Sequence, residues 1–219
     1  MPNRGVTSPS ASIEDKRADS ARGNMRYDGM RTKKRELGFT MIELVIAVAV
    51  LAVMAAIAIP GFSTWLPDYR LKSAARDVYS NMQLAKMGAV RENTTRRIVF
   101  ATGAGSYSIW SPGANGNWDG YAGDDVQVKT VDLSSYQTGV GYGGGNATKN
   151  ATTAGGALPG DNVSYNPPAN VVVFNSRGTC NTGYVYLENS KNTTTYAIGT
   201  RTTGVILLRK WNSSIADWE

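Results

Sequence analysis

The tightest constraint in this chain is a long apolar run with a single acid near its start. Lys33-Lys34-Arg35-Glu36-Leu37-Gly38 leads into Phe39-Thr40-Met41-Ile42-Glu43, and from Phe39 to Ile59 Glu43 is the one charged residue. As a helix this stretch spans roughly 31 Å, the thickness of the hydrocarbon core of a bilayer. The basic residues just before it predict that the N-terminal flank stays in the cytoplasm and the C-terminal bulk crosses the membrane. A carboxylate one turn into such a helix costs about 2.5–3.5 kcal/mol at the bilayer centre and less near the interface, so Glu43 needs a partner.

Gly38-Phe39-Thr40-Met41-Ile42-Glu43-Leu44 resembles the processing motif of type IV pilins and of the pseudopilins of type II secretion. The resemblance implies that a membrane-embedded prepilin peptidase cuts between Gly38 and Phe39, and that the new N-terminal Phe39 is N-methylated. It also implies a partner for Glu43, the fifth residue after the cut. That partner is the free amino terminus of a neighbouring subunit, which sets register as a filament grows. Pilins similarly carry a proline at the spacing of Pro60, where the helix bends or melts during assembly. Other pilins or pseudopilins and an inner-membrane assembly platform are the remaining implied partners.

Removal of residues 1–38 leaves 181 of the 219 residues, enough for one membrane helix and one modest globular domain. The formal net charge is +6, but residues 1–38 hold nine Lys/Arg against five Asp/Glu, so the mature part carries only about +2. A strong nucleic-acid field over the mature chain is therefore not evident. Cys180 is the single cysteine, so no intramolecular disulfide forms, and the expectation is a buried small hydrophobe. There is no histidine, which removes the commonest general base and metal ligand. Residues 1–29 are polar without apolar periodicity and read as disordered. Met30 opens a short basic leader of the usual type, which places the expected translational start there, with Met25 as the second candidate.

The chain divides into a leader (1–38), a transmembrane and filament-core segment (39–61), an amphipathic half of the same helix (62–95) and a globular domain (96–219). Pro60-Gly61 predicts a kink, because a proline inside a helix removes one backbone hydrogen bond and crowds the preceding turn. The helical period resumes from about Phe62 to about Glu92. Leu71, Ala74, Ala75, Val78, Met82, Ala85 and Ala89 recur at spacings of three and four, with Arg70, Lys72, Arg76, Lys86 and Arg91 largely opposite. From Arg96 the period changes to two. Arg97–Phe100 and Ser106–Trp110 flank a Thr-Gly-Ala-Gly turn and read as a hairpin. Further short strands are expected at Val126–Val131, Val163–Tyr165, Val171–Phe174, Tyr184–Leu187, Thr195–Ile198 and Val205–Leu208. The fold class is α+β: a long N-terminal helix laid on an antiparallel β-sheet domain.

The C-terminal pieces Phe174-Asn175-Ser176-Arg177-Gly178, Gly183–Leu187 and Thr203-Gly204-Val205-Ile206-Leu207 resemble the GspH/FimT group of minor pseudopilins and minor pilins. That implies the pilin fold over nearly all of the mature chain. The sequence departs from the group at Gly204-Val205-Ile206, where many members carry a Gly-Arg pair. A function that depends on an arginine there lacks its residue.

Two loops carry polar groups. Gly113 to Asp125 holds Asp119, Asp124 and Asp125, oxygen ligands of a kind that suits calcium. Their spacing matches no EF-hand pattern, so a solvated turn is expected and no metal or cofactor is assigned. Gly139 to Gly160, rich in Gly, Ala, Thr and Asn, reads as a mobile loop. The leading function is a structural one: a non-enzymatic minor pilin or pseudopilin at the bacterial inner membrane, packing its helix into a pilus or a secretion pseudopilus. Its alanines permit close helix packing. The residues fit both kinds of filament. A second reading is a DNA-binding minor pilin for uptake of transforming DNA. Arg201, Arg209 and Lys210 would contact phosphates and Trp211 would stack on bases. The low mature charge and nearby Asp217 and Glu219 count against it and favour a basic, solvated C-terminal edge with a tryptophan packed on the domain. A third class, an anchored enzyme or binding protein, needs converging polar groups that the sequence does not display.

Overall fold

The computed structural model describes residues 38–137, 139–152 and 154–219, and for Pro60 and Thr64 the backbone only. The leader up to residue 37, including Met1, Met25 and Met30, lies outside the described residues. These fall into two units, a small one ending at Val45 and a larger one from Ile46 to Glu219.

One helix, α1 (Met41–Arg91), carries the whole apolar run and the amphipathic segment after it. Its backbone is helical through positions 60 and 67, both prolines, so neither ends the helix. Pro67 supplies no N–H to the carbonyl of Ser63 one turn earlier, and the Lys191 ammonium donates to that carbonyl at 2.8 Å. The C-terminus closes with a Schellman motif. Asn93 sits in the left-handed region (φ 50°). Thr94 N–H bonds Ala89 O at 3.0 Å, and Asn93 N–H bonds Val90 O at 3.3 Å.

The period-two region forms two antiparallel sheets where one was expected. The first contains β1 (Arg96–Ala101), β2 (Ser106–Ser111), β3 (Val126–Asp132) and β5 (Val171–Phe174), in the order β3-β2-β1-β5. The second contains β4 (Val140–Tyr142), β6 (Gly183–Asn189), β7 (Thr195–Thr200), β8 (Ile206–Asn212) and β9 (Asp217–Trp218), in the order β4-β6-β7-β8-β9. The division follows from edges: β1 takes β5 on the side away from β2, pairing Ile98 with Val172, while β6 takes β4 on the side away from β7.

Three further expectations are corrected. Val163–Tyr165 is not a strand; Val163 makes one isolated bridge with Val185. Pro167 and Pro168 follow shortly, and proline has no N–H to continue a ladder. The last meander strand begins at Ile206, not Val205, and runs on to Asn212. The Gly139–Gly160 segment is not a free loop. It contains β4, and Ala147 and Ala151 are buried within it. Ala151 N–H donates to Tyr186 Oη at 2.8 Å, and Trp218 Nε1–H donates to Lys149 O at 3.0 Å.

All seven residues read as the apolar face of the second half of α1 are buried. They share one core with side chains from both sheets, among them Ile98, Ile109, Phe174, Val185 and Ile198. A smaller second core gathers Ala147, Ala151, Tyr184, Tyr186, Ala197, Trp211 and Trp218. Two of the C-terminal motifs meet here. Gly204 (φ +79°) lies against the Phe174–Gly178 turn so closely that a Cβ would stand 1.8 Å from Gly178 O. Lys86 of α1 caps the junction by donating to Gly204 O at 2.9 Å.

Gly204→Ala combines left-handed strain with that clash, so it should destabilise the chain by about 3 kcal/mol or more. Gly103→Ala, where a Cβ meets nothing within 4 Å, serves as a neutral control in thermal unfolding. A second test concerns a buried pair: Asn81 Nδ2 donates to Tyr107 Oη at 2.6 Å. Burial pushes the Tyr107 hydroxyl up to about 12. Tyr107→Phe leaves the amide donor dry and should cost about 1–3 kcal/mol, whereas adding Asn81→Leu should recover part of the loss in the same melt.

Candidate functional site

The sequence nominates the start of α1, and its geometry explains the motif locally. Gly38, Phe39 and Thr40 are non-helical and exposed. Thr40 is the N-cap: its hydroxyl accepts from Glu43 N–H at 3.2 Å, and its carbonyl accepts from Leu44 N–H at 3.1 Å. Thr40-x-x-Glu43 is thus the threonine–glutamate spacing of a capping box, a signal present in the sequence that the motif reading passes over. Glu43 stands in the first turn, where the helix dipole favours an anion. Its carboxylate makes no hydrogen bond or ion pair with any described residue. At Gly38 a Cβ would meet nothing within 4 Å. Nothing in the fold therefore demands glycine there.

Beyond the cap, every large apolar side chain from Phe39 to Phe62 is exposed by between 52% and 84%. The helix is long and apolar enough to cross a membrane. Phe62, Trp65 and Tyr69 follow at helical spacing and are also exposed, with Trp65 and Tyr69 stacked at 5.1 Å. Aromatic residues at the end of an apolar span mark a membrane–water interface. Among these aromatics the globular part grips the helix, for Asn189 Nδ2 donates to Asp68 Oδ1 at 2.6 Å. Of Pro60 the side chain lies outside the described residues.

The residues nominated for DNA do not form one surface. Trp211 is buried, packed edge-on to Trp218 at 5.3 Å and 68°, so it offers no face for base stacking. Lys210 is exposed and its backbone pairs with Glu219 in both directions, at 2.8 and 3.0 Å. Arg201 and Arg209 border a common cavity that excludes Lys210.

The acidic loop is spent on its own backbone. Asp124 Oδ2 accepts from Asn115 N–H at 3.0 Å, and Asp119 Oδ2 accepts from the Asn115 amide at 3.1 Å. Asp125 Oδ2 accepts from the N–H groups of Asp119 and Tyr121 at 3.1 and 2.8 Å. Asp125 Oδ1 is buried without a partner, but one orphan oxygen is not a calcium ligand set. Among the described residues no three acidic, cysteine or histidine side chains converge to hold a metal. Cys180 is buried as expected, its Sγ 3.1 Å from Arg201 O, and burial raises its thiol.

A family model described as the prokaryotic N-terminal methylation motif matches residues 33–59. One described as type II transport protein GspH matches residues 74–204. No curated protein matches the chain. Among solved structures, it is similar to the minor pseudopilin EpsH from the Type 2 Secretion System of Vibrio cholerae. That pair has 11% identity and a TM-score of 0.45, covering 64% of this chain and 95% of the other. It is also similar to the type IV minor pilin FimU of Pseudomonas aeruginosa, at 16% identity and a TM-score of 0.41, covering 64% and 89%.

Loss of the cap should be visible locally. Thr40→Ala should speed amide exchange at Glu43 and Leu44 about fivefold in detergent micelles, and Thr40→Ser should restore most of the protection.

Proposed function

The chain belongs to the GspH family of type II transport proteins and carries the N-terminal methylation motif, and we propose that it is a minor subunit of a type IV pilus or a type II secretion pseudopilus. In this reading the prepilin peptidase cuts between Gly38 and Phe39 and Phe39 is N-methylated. The subunit then leaves the inner membrane with the help of an assembly platform and packs α1 among the helices of other pilins or pseudopilins.

The observation that carries the proposal is a Glu43 with no partner among the described residues at the start of a bare apolar helix. An apolar surface of this extent is not left in water. A lipid bilayer covers it first and neighbouring helices cover it later, both being apolar environments. Ala47, Ala49, Ala52, Ala55, Ala56 and Ala58 keep that surface shallow enough for helices to approach closely. In either setting the Glu43 carboxylate seeks a positive charge. The new amino terminus of a neighbouring Phe39 is of the right sign, and pairing the two would set the register of one subunit on the next. Gly38 fits as a requirement of the peptidase, since the fold tolerates a side chain there. The apolar span and the motif fit a single-pass inner-membrane anchor. The proposed orientation keeps the N-terminus cytoplasmic before export, as the basic residues Lys33, Lys34 and Arg35 favour. Pro60 is proposed as the point where the helix yields during extraction.

Mass spectrometry of the N-terminal peptide, from native membranes and from sheared extracellular filaments, tests this. A peptide beginning at N-methylated Phe39 in both fractions is expected for a pilus subunit, and in membranes alone for a short pseudopilus. Gly38→Val should leave the precursor uncut yet folded. Glu43→Leu should be processed and inserted but missing from filaments. An intact Gly38–Phe39 bond in cells with active peptidase would sink the proposal.

A further inference from the structure

We propose that the cavity between Lys149, Thr152, Gly155 and strands β8–β9 is a binding site for a small, doubly charged oxyanion of the phosphate class. The cavity measures about 430 Å³, and Arg201, Arg209 and Lys149 all border it. That volume lies within the roughly 300–1,000 Å³ usual for small-ligand sites.

The cations differ in how they are engaged. Lys149 Nζ is paired with Asp217 Oδ1 at 3.1 Å, and Asp217 is the one acid on the cavity wall. Neither Arg201 nor Arg209 has a carboxylate partner among the described residues. The Arg209 guanidinium makes one long contact, Nη1 to Ala151 O at 3.4 Å. With three cations and one carboxylate, the wall carries a net charge of +2. Two other arginines of the domain have structural tasks, whereas Arg177 is exposed and makes no ion pair among the described residues. Arg96 is bound to Glu92 at 2.6 Å, and Arg97 lies 4.1 Å over the Trp118 ring. Arg201 and Arg209, neither held by a carboxylate, border the same cavity.

The site is also built in advance. Arg209 is on β8 opposite Ala197. The Arg201 carbonyl accepts from Gly204 N–H at 2.7 Å, and Arg201 N–H donates to Val205 O at 3.0 Å. The loop on the other side is tied down at Lys149 O by the Trp218 indole and at Ala151 N–H by Tyr186 Oη. Two planar guanidinium forks carried on an anchored backbone suit an oxyanion. A dianion balances the +2 wall, whereas a single carboxylate leaves one guanidinium unanswered.

The full chain in nonionic detergent is titrated with sodium phosphate at constant ionic strength, following tryptophan fluorescence and heat. Saturable one-to-one binding is expected. Arg201→Gln and Arg209→Gln should each weaken it about tenfold, the loss of one charge-assisted contact. Lys210→Gln, outside the cavity, should leave it unchanged, and Asp217→Asn should tighten it. Thermal unfolding confirms that each variant is folded, and Arg201→Gln, on an exposed turn, keeps the test decisive if Arg209→Gln is not. Absence of saturation, or equal binding to both arginine variants and the parent, overturns the proposal. Acetate binding as tightly as phosphate overturns the dianion assignment. Saturation by micelles doped with phosphatidylglycerol, without any by soluble phosphate, overturns the soluble ligand in favour of a lipid headgroup.

Discussion

The architecture depends on one packing contact, the small-residue face in the second half of α1. Ala74, Ala75, Ala85 and Ala89 are fully buried, interspersed with Leu71, Val78 and Met82. Small side chains let sheet residues approach the helix, and the three larger ones fill the gaps between them. Glycine is used in the same way at position 88, where a Cβ would stand 2.5 Å from Arg96 Nε. The arginine therefore lies flat across the helix and reaches Glu92, which it holds below the usual carboxylate range. Both sheets contribute to this one core, so each depends on the same strip of helix for burial.

The same helix serves two solvents. Between Phe39 and Phe62 it presents apolar side chains that no described residue covers; between Leu71 and Ala89 one face is dry. The change of regime falls at Trp65–Arg70, where the aromatic pair ends the apolar stretch and Asp68 takes a bond from Asn189. Pro67 belongs to this transition. By withholding an N–H from the Ser63 carbonyl it makes room for Lys191 to donate there, which tethers the turn after β6 to the helix. A proline that would ordinarily weaken a helix here contributes a point of attachment.

Basic residues in the globular part have separate duties. Lys86 and Lys191 donate to backbone carbonyls of Gly204 and Ser63. Arg96 and Arg97 are held by a carboxylate and an indole. Arg201 and Arg209 face a shared cavity with no carboxylate of their own. Net charge counts all of these alike, which is why a mature charge near +2 conceals a local concentration of positive potential.

The sequence by itself determined the elements whose causes are local. The processing motif, the apolar span and the buried face of α1 follow from residue type and a period of 3.6, and all seven face residues are buried as that period requires. The strands from β1 to β3 and from β5 to β7 follow from alternation and from glycine-bearing turns. Burial of Cys180 was legible from its being alone. Tertiary structure decided the rest, because the causes lie far apart along the chain. Division into two sheets depends on which strand edge finds which partner, as when β5 joins β1. Strand β4 is too short and glycine-rich to announce itself, and exists because the edge of β6 was available. A tryptophan packed on the domain was the favoured expectation at Trp211, but its partner was not legible: β9 folds back and buries it against Trp218. Arg201 and Arg209 border a cavity because Lys149 and Ala151 are held opposite them by Trp218 and Tyr186, contacts that no local pattern encodes.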